Sequence, residues 1–383
     1  MDGPRFQIHV EDAVLDDLRD RLSRVRWPDE IVGTGSAYGL EPAGLRDLVG
    51  HWRDGFDWRE RERALNGLAQ RNVRVDGLGV HLVHERGRGP KPLPLLLTHG
   101  WPGTFAEFVK IIPLLTDPVS WGGEPGDSFD VIVPSIPGYG FSDRPVSPGM
   151  NSRRVAGMWA GLMTALGYER FGAQGGDWGA SIATWLAVDH PSRLAGIHLN
   201  YIPGSYRPDP GPGAPEPSAA ERLFLVERDR WLEDDGAYGH LQRTRPQTLA
   251  YALHDSPAGL AAWILEKLTE WSDCGGDPLR RFSRDEILTH VTIYWATGTI
   301  GSSMRLYLES KATPLHFRAG ERVAVPTGVA RFAKEAPMPP REWVERVYDV
   351  RRWSEYPRGG HFAAMEEPEL LAADIREFFR PLR

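Results

Sequence analysis

Gly175-Gly-Asp-Trp-Gly179 follows the apolar run Arg170-Phe-Gly-Ala-Gln174 and precedes Ala180-Ser-Ile-Ala-Thr-Trp-Leu-Ala-Val188, so the stretch reads as strand, sharp turn, helix. A turn framed by glycines lets the helix pack back closely on the strand and lifts the central side chain above the edge of a parallel sheet. Where a Gly-x-Ser-x-Gly elbow holds a hydroxyl, this one holds the carboxylate of Asp177.

That difference dictates chemistry. A serine needs a neighbouring base before it can attack, whereas an aspartate, with a reference pKa of about 3.9, is already ionised at neutral pH. A carboxylate can displace a leaving group from saturated carbon and form an ester. A base left free by this step can then activate the water that hydrolyses the ester.

Outward from the elbow the chain keeps a βαβ rhythm. Pro92 to Leu97 reads as a strand leading into Thr98-His-Gly-Trp-Pro-Gly103, and Thr104 to Leu115 as a helix. Phe129 to Pro134 reads as the next strand, Arg154 to Leu166 as a helix, and Gly196 to Asn200 as a strand. Upstream, Val73 to Val83 alternates around Asp76-Gly77, a tight-hairpin signature. Apolar residues at helical spacing before Trp27-Pro28, and again from Pro42 to Trp58, predict a helical extension over residues 1–70.

Residues 71–201 are then the first part of the core. From about Ile202 the rhythm breaks, and a Pro/Gly-rich piece, Pro208 to Pro217, opens an aromatic-rich helical segment. Residues 202–314 are read as a cap over the active face, and 315–383 as the rest of the core. That last part holds strands at Val323 to Ala330 and Tyr348 to Trp353, and a final helix from Glu366 to Phe379.

Composition narrows the function classes. The chain has 383 residues, 41% hydrophobic, with 14 Trp, enough for one large core with additions. Its formal net charge of -7 supplies no basic surface for nucleic acid. A single cysteine, Cys274, allows no intrachain disulfide and points to a reducing, cytoplasmic setting. The first ten residues do not read as a signal peptide, and no apolar run approaches the roughly 20 residues that span a bilayer.

The elbow aspartate needs partners downstream. His361, in Arg358-Gly-Gly-His-Phe-Ala-Ala-Met, lies between a strand and the last helix, the place of the base when nucleophile, acid and histidine follow in that chain order. The orienting acid should follow the strand near Ala330: Glu335 is the first carboxylate there, and Asp349 is its rival. The backbone N–H groups of Trp101 and of Trp178, next after the nucleophile, are placed to form an oxyanion hole. His99 reads as a turn residue. A leaving alkoxide also needs a proton donor, and tyrosine suits the task. The cap offers Tyr238, Tyr251, Tyr294 and Tyr307, among which spacing does not choose.

Taken together, His99-Gly-Trp-Pro, Gly175-Gly-Asp-Trp-Gly, Tyr294-Trp-Ala-Thr-Gly-Thr-Ile-Gly-Ser-Ser303 and Arg358-Gly-Gly-His-Phe-Ala-Ala resemble the epoxide hydrolases of the microsomal and juvenile-hormone type. The likeness covers nearly the whole chain and implies an α/β-hydrolase fold, with a mostly parallel sheet, a helical cap and an N-terminal helical extension. It implies Asp177 as nucleophile, His361 as base, Glu335 as its acid, and Tyr238 and Tyr307 as the oxirane-binding pair. It implies a small-molecule epoxide as substrate, a vicinal diol as product and no cofactor or metal. The membrane anchor of the microsomal members is not carried over, and a homodimer is compatible with the reading. The alternatives are a haloalkane dehalogenase with the same aspartate nucleophile, and a ligand-binding relative without catalysis.

Overall fold

The computed structural model describes residues 5–209, 211 and 216–383. Part of the Pro/Gly-rich opening of the cap, and the first four residues, lie outside it. Ten strands occur among the described residues: β1 (Gln70–Val75), β2 (Leu78–Glu85), β3 (Leu93–Thr98), β4 (Phe129–Pro134), β5 (Phe171–Gly175), β6 (Leu194–Leu199), β7 (Arg207–Pro208), β8 (His316–Phe317), β9 (Val323–Lys334) and β10 (Tyr348–Gly360). Eight of them form one sheet in the order β1-β2-β4-β3-β5-β6-β9-β10, while β7 and β8 pair separately. Only β1/β2 and β2/β4 are antiparallel. The β1–β2 hairpin turns at Asp76 and Gly77, both with positive φ, as the Asp-Gly pair predicts.

The sheet is buried on both faces, and its side chains sort by the two-residue period of a strand. On β3, Leu95 and Leu97 face one core with Val131 and Val133 of β4, while Leu96 and Ile132 face the other. The first core is closed by the helices Ile111–Thr116 and Pro368–Phe379, the second by Ser152–Ala165 and Asp177–Asp189. Each fully buried Leu or Val contributes roughly 1.5–3 kcal/mol by leaving water.

In the segment read from the sequence as a cap, helices span Ala219–Asp234, Ala237–Thr244, Pro246–Asp255, Pro257–Glu270, Arg284–Thr297 and Ile300–Ser310, all between β6 and β9 in the chain. The N-terminal helices brace them. Trp52 donates its indole N–H to Thr292 Oγ1 at 2.9 Å, His51 lies 2.8 Å from Asp285, and Asp47 pairs with Arg284. No helix of the described residues is long and apolar enough to cross a membrane.

Several elements differ from the sequence expectation. The Pro42 to Trp58 stretch is a helix only to Asp54, and a new helix begins at Trp58 with Asp57 capping it through the Glu60 N–H. Thr104 to Leu115 splits into a 3-10 turn, Phe105–Phe108, and the helix Ile111–Thr116. The C-terminal segment breaks at Glu367, because Pro368 starts the last helix. Strands β9 and β10 run several residues beyond their expected ends, to Lys334 and Gly360.

Candidate active site

Strand order reverses around β3, with β4 on one side and β5 on the other, which opens a crevice at the carboxyl ends of β3 and β5. The turn after β3 brings Trp101 there, and the turn after β5 brings Asp177. Asp177 is a non-glycine residue at φ 46°, a strained conformation held by its neighbours. The frame tolerates no side chain: a Cβ on Gly179 would collide with the Thr98 carbonyl oxygen, and one on Gly100 with the Asp177 side chain.

Asp177 opens the helix Asp177–Asp189, whose N-terminal dipole favours its negative charge. Its Oδ1 accepts the backbone N–H of Trp101 at 2.9 Å. Trp178 follows in the first turn, where a backbone N–H has no intrahelical acceptor.

Strands β9 and β10 are parallel neighbours, so the residues that follow them emerge side by side. Those residues are Glu335 and His361. Glu335 Oε1 lies 2.7 Å from His361 Nδ1 and accepts the Ala336 N–H at 2.8 Å. His361 Nε2 stands 3.6 Å from Asp177 Oδ2. Burial alone would lower the His361 pKa, but Glu335 and Asp177 together outweigh it and hold the imidazole well above its ordinary value. Asp349 is elsewhere, on β10 and paired with Arg351.

Two of the four cap tyrosines face Asp177. Tyr238 stacks on Trp101, with centroids 5.5 Å apart, and meets the Tyr307 ring edge-on at 6.0 Å. Tyr307 also meets Trp178 at 4.8 Å, and its buried hydroxyl has no hydrogen bond of normal length among the described residues. Burial and the charge of Asp177 push both phenols well above their ordinary pKa, the neighbouring Tyr238 adding to the effect at Tyr307, so both stay protonated donors. Tyr294 instead donates to the Gly103 carbonyl at 2.9 Å, and Tyr251 is exposed. His99 is fully buried, with Nδ1 against the Gly100 carbonyl and Nε2 accepting the Ile136 N–H.

Asp177 is shared by two cavities. On the cap side, a cavity of about 380 Å³ is lined by Asp177, Trp178, Tyr201, Trp231, Tyr238 and Tyr307, among others. Behind it, a cavity of about 20 Å³ is bounded by Asp177, His361, Asn200 and Glu107, a size that holds about one water. Among the described residues no cluster of three His, Cys, Asp or Glu side chains could hold a metal ion.

Glu107 was not expected from the sequence. Burial pushes its carboxyl up to about 8, against the opposing pull of His361. The available signal was one acid inside the otherwise apolar Phe105-Ala-Glu-Phe108. Trp271 and Tyr201 were also missed as ring neighbours of His361, at 5.1 and 5.7 Å.

Comparison with known proteins adds a second line. Residues 4–108 match the family model for the epoxide hydrolase N terminus, and 94–248 the one for the alpha/beta hydrolase fold. The chain is 40% identical to epoxide hydrolase 1 of Oryctolagus cuniculus, over 97% of this chain and 88% of that one. It is 37% identical to juvenile hormone epoxide hydrolase 1 of Ctenocephalides felis, over 97% and 84%. The crystal structure of juvenile hormone epoxide hydrolase from Bombyx mori superposes with a TM-score of 0.88 at 32% identity, covering 100% of this chain and 95% of that one.

Proposed function

This chain belongs to the epoxide hydrolases of the α/β-hydrolase fold, and from that membership we propose that it converts a hydrophobic organic epoxide and water to a vicinal diol through an ester on Asp177. The observation that carries the reading is the position of Asp177 between an aromatic cavity lined by two phenols and a one-water cavity lined by His361, whose Nδ1 is held by Glu335.

In the first step a carboxylate oxygen of Asp177 attacks one ring carbon. The carbon–oxygen bond of the ring breaks, and the leaving alkoxide takes a proton from Tyr238 or Tyr307. Protonation by a positioned acid of this kind is worth about 10²–10⁴ in rate. The product is a hydroxyalkyl ester.

Ester formation removes the negative charge of Asp177, one of the two charges that hold His361 protonated. The imidazole pKa then falls, its proton passes to the tyrosinate and restores the phenol, and neutral His361 becomes a base, still oriented by Glu335 at 2.7 Å. It takes a proton from the water in the rear cavity, and that water attacks the Asp177 carbonyl carbon. The N–H groups of Trp101 and Trp178 receive the oxyanion, each such donor being worth roughly 10²–10³. Collapse breaks the ester carbon–oxygen bond, the leaving alkoxide takes the remaining water proton from the new carboxyl group, and the diol departs with Asp177 again a carboxylate and His361 again protonated.

One observation favours a second reading: the indole N–H groups of Trp101 and Trp178 are buried without partners among the described residues, as a halide-releasing dehalogenase would need. A panel of aliphatic and aromatic epoxides, run beside the matching haloalkanes, decides. Diol from the epoxides, absent in Asp177→Ala, supports the proposal, and halide release without diol contradicts it. The cytoplasmic setting stays part of the proposal, supported by the lone buried thiol of Cys274.

A further inference from the structure

The lining of the large cavity is not uniform in charge. Beside Asp177, Tyr238 and Tyr307 it carries three cations, Arg207, Arg243 and Lys311, of which Arg243 and Lys311 are exposed, and Asp177 is the only acidic side chain among the lining residues. This is unexpected in a chain of net charge -7, where arginines elsewhere find carboxylates, as Arg153 does with Asp189 and Arg228 with Asp229.

None of the three cations has a carboxylate partner among the described residues. Arg207 is half-buried and donates Nη1 to the carbonyls of Gly204 at 3.0 Å and Tyr206 at 2.7 Å, which fixes the guanidinium without neutralising it. Burial, with the nearby charge of Arg228, disfavours its charged form, Asp229 partly opposing. Arg243 lies on the helix Ala237–Thr244 that also carries Tyr238, and its Nε donates to the Gly239 carbonyl at 3.2 Å. Lys311 is exposed just past the helix that carries Tyr307. Both substrate-facing tyrosines therefore have a cation on or next to their own helix, lining the same cavity.

We infer that the preferred substrate is an epoxide with a carboxylate at the end remote from the ring, held by Arg243, Arg207 and Lys311 while the ring meets Asp177 and the tyrosines. An apolar spacer would run along the aromatic lining, which includes Trp231 and Trp178. Guanidinium groups match carboxylates in charge and in the geometry of paired donors, so the two arginines would carry most of the preference. This rests on the proposed epoxide hydrolysis and adds the substrate class.

The test compares an aliphatic carboxylic acid bearing a terminal epoxide with its methyl ester. The acid should have the higher kcat/KM in wild type, mainly through a lower KM. The acid-to-ester ratio should fall about tenfold in Arg207→Gln/Arg243→Gln, with Arg243→Lys intermediate. It should also fall in wild type as salt rises to ~0.5 M, where screening is felt within a few ångströms. Lys91→Gln, the same charge change beside the amino end of β3 and away from the cavity, should leave the ratio unmoved. An equal ratio in wild type and double variant, or one insensitive to salt, would overturn the inference. Diol from the ester alone overturns the inference and leaves the hydrolase reading standing; no diol from either substrate overturns both.

Discussion

The two cavities that meet at Asp177 differ in every respect that bears on reaction. The cap-side one is about 380 Å³, aromatic, and supplied with two neutral phenols. The rear one is about 20 Å³, and offers an imidazole held by a carboxylate. A substrate fits only the first, and the second has room for little besides water. In the proposed mechanism, one side chain between two unlike compartments separates an alkylation from a hydrolysis.

That division is broken most severely from the rear. His361→Gln removes the base but leaves Asp177 and the tyrosines in place, so turnover should fall by about 10⁴ while alkylation continues. Intact-mass measurement should show the protein heavier by one substrate. Steady turnover without the adduct would remove His361 from this role.

The front is broken by Tyr238→Phe with Tyr307→Phe. Both rings stay and both donors go, so the cost should appear in ester formation, about 10³ in its rate, with no adduct building up. Adduct accumulation in this variant would place the tyrosines in the second step instead.

The smallest effect sharpens the description of the rear wall. Glu107 is held protonated, its pKa raised from 4.5 to about 8 mainly by burial, whereas the unfolded chain ionises it near 4.5. The folded state then binds the extra proton between these values, so stability falls as pH rises from 4.5 toward 8 and levels above. Glu107→Gln escapes this loss. Its melting temperature relative to wild type should gain about 4–5 °C between pH 5 and pH 8, consistent with about 4 kcal/mol for one proton over three pH units. A difference independent of pH would mean that Glu107 is not held neutral.

How much of this the sequence carried depends on how local each signal is. The elbow was legible because glycine frames and hydrophobic runs act over a few residues, and the collisions around Gly179 and Gly100 are what those glycines avoid. His361 and Glu335 were legible through chain order, but their meeting depends on β9 and β10 ending together, which required both strands to be longer than their apolar patterns suggest. The tyrosines were not separable by spacing: Tyr294 and Tyr307 lie on successive helices, yet one props up Gly103 and the other faces Asp177. Glu107 was missed because its burial arises from elements distant in sequence. Nor is a buried histidine–carboxylate pair sufficient. His198 and Asp374 form one, 2.9 Å apart, and it ties β6 to the last helix, where Asp374 also receives Arg352.

An ester on Asp177 requires that one diol oxygen come from its carboxylate. A single turnover in ¹⁸O-water, with enzyme in excess, followed by proteolysis and mass spectrometry of the peptide containing Asp177, tests this. Heavy oxygen in the Asp177 carboxylate and unlabelled diol from that first turnover are predicted. Label in the first diol released, with Asp177 unlabelled, would mean that water attacks the epoxide directly and would contradict the ester mechanism.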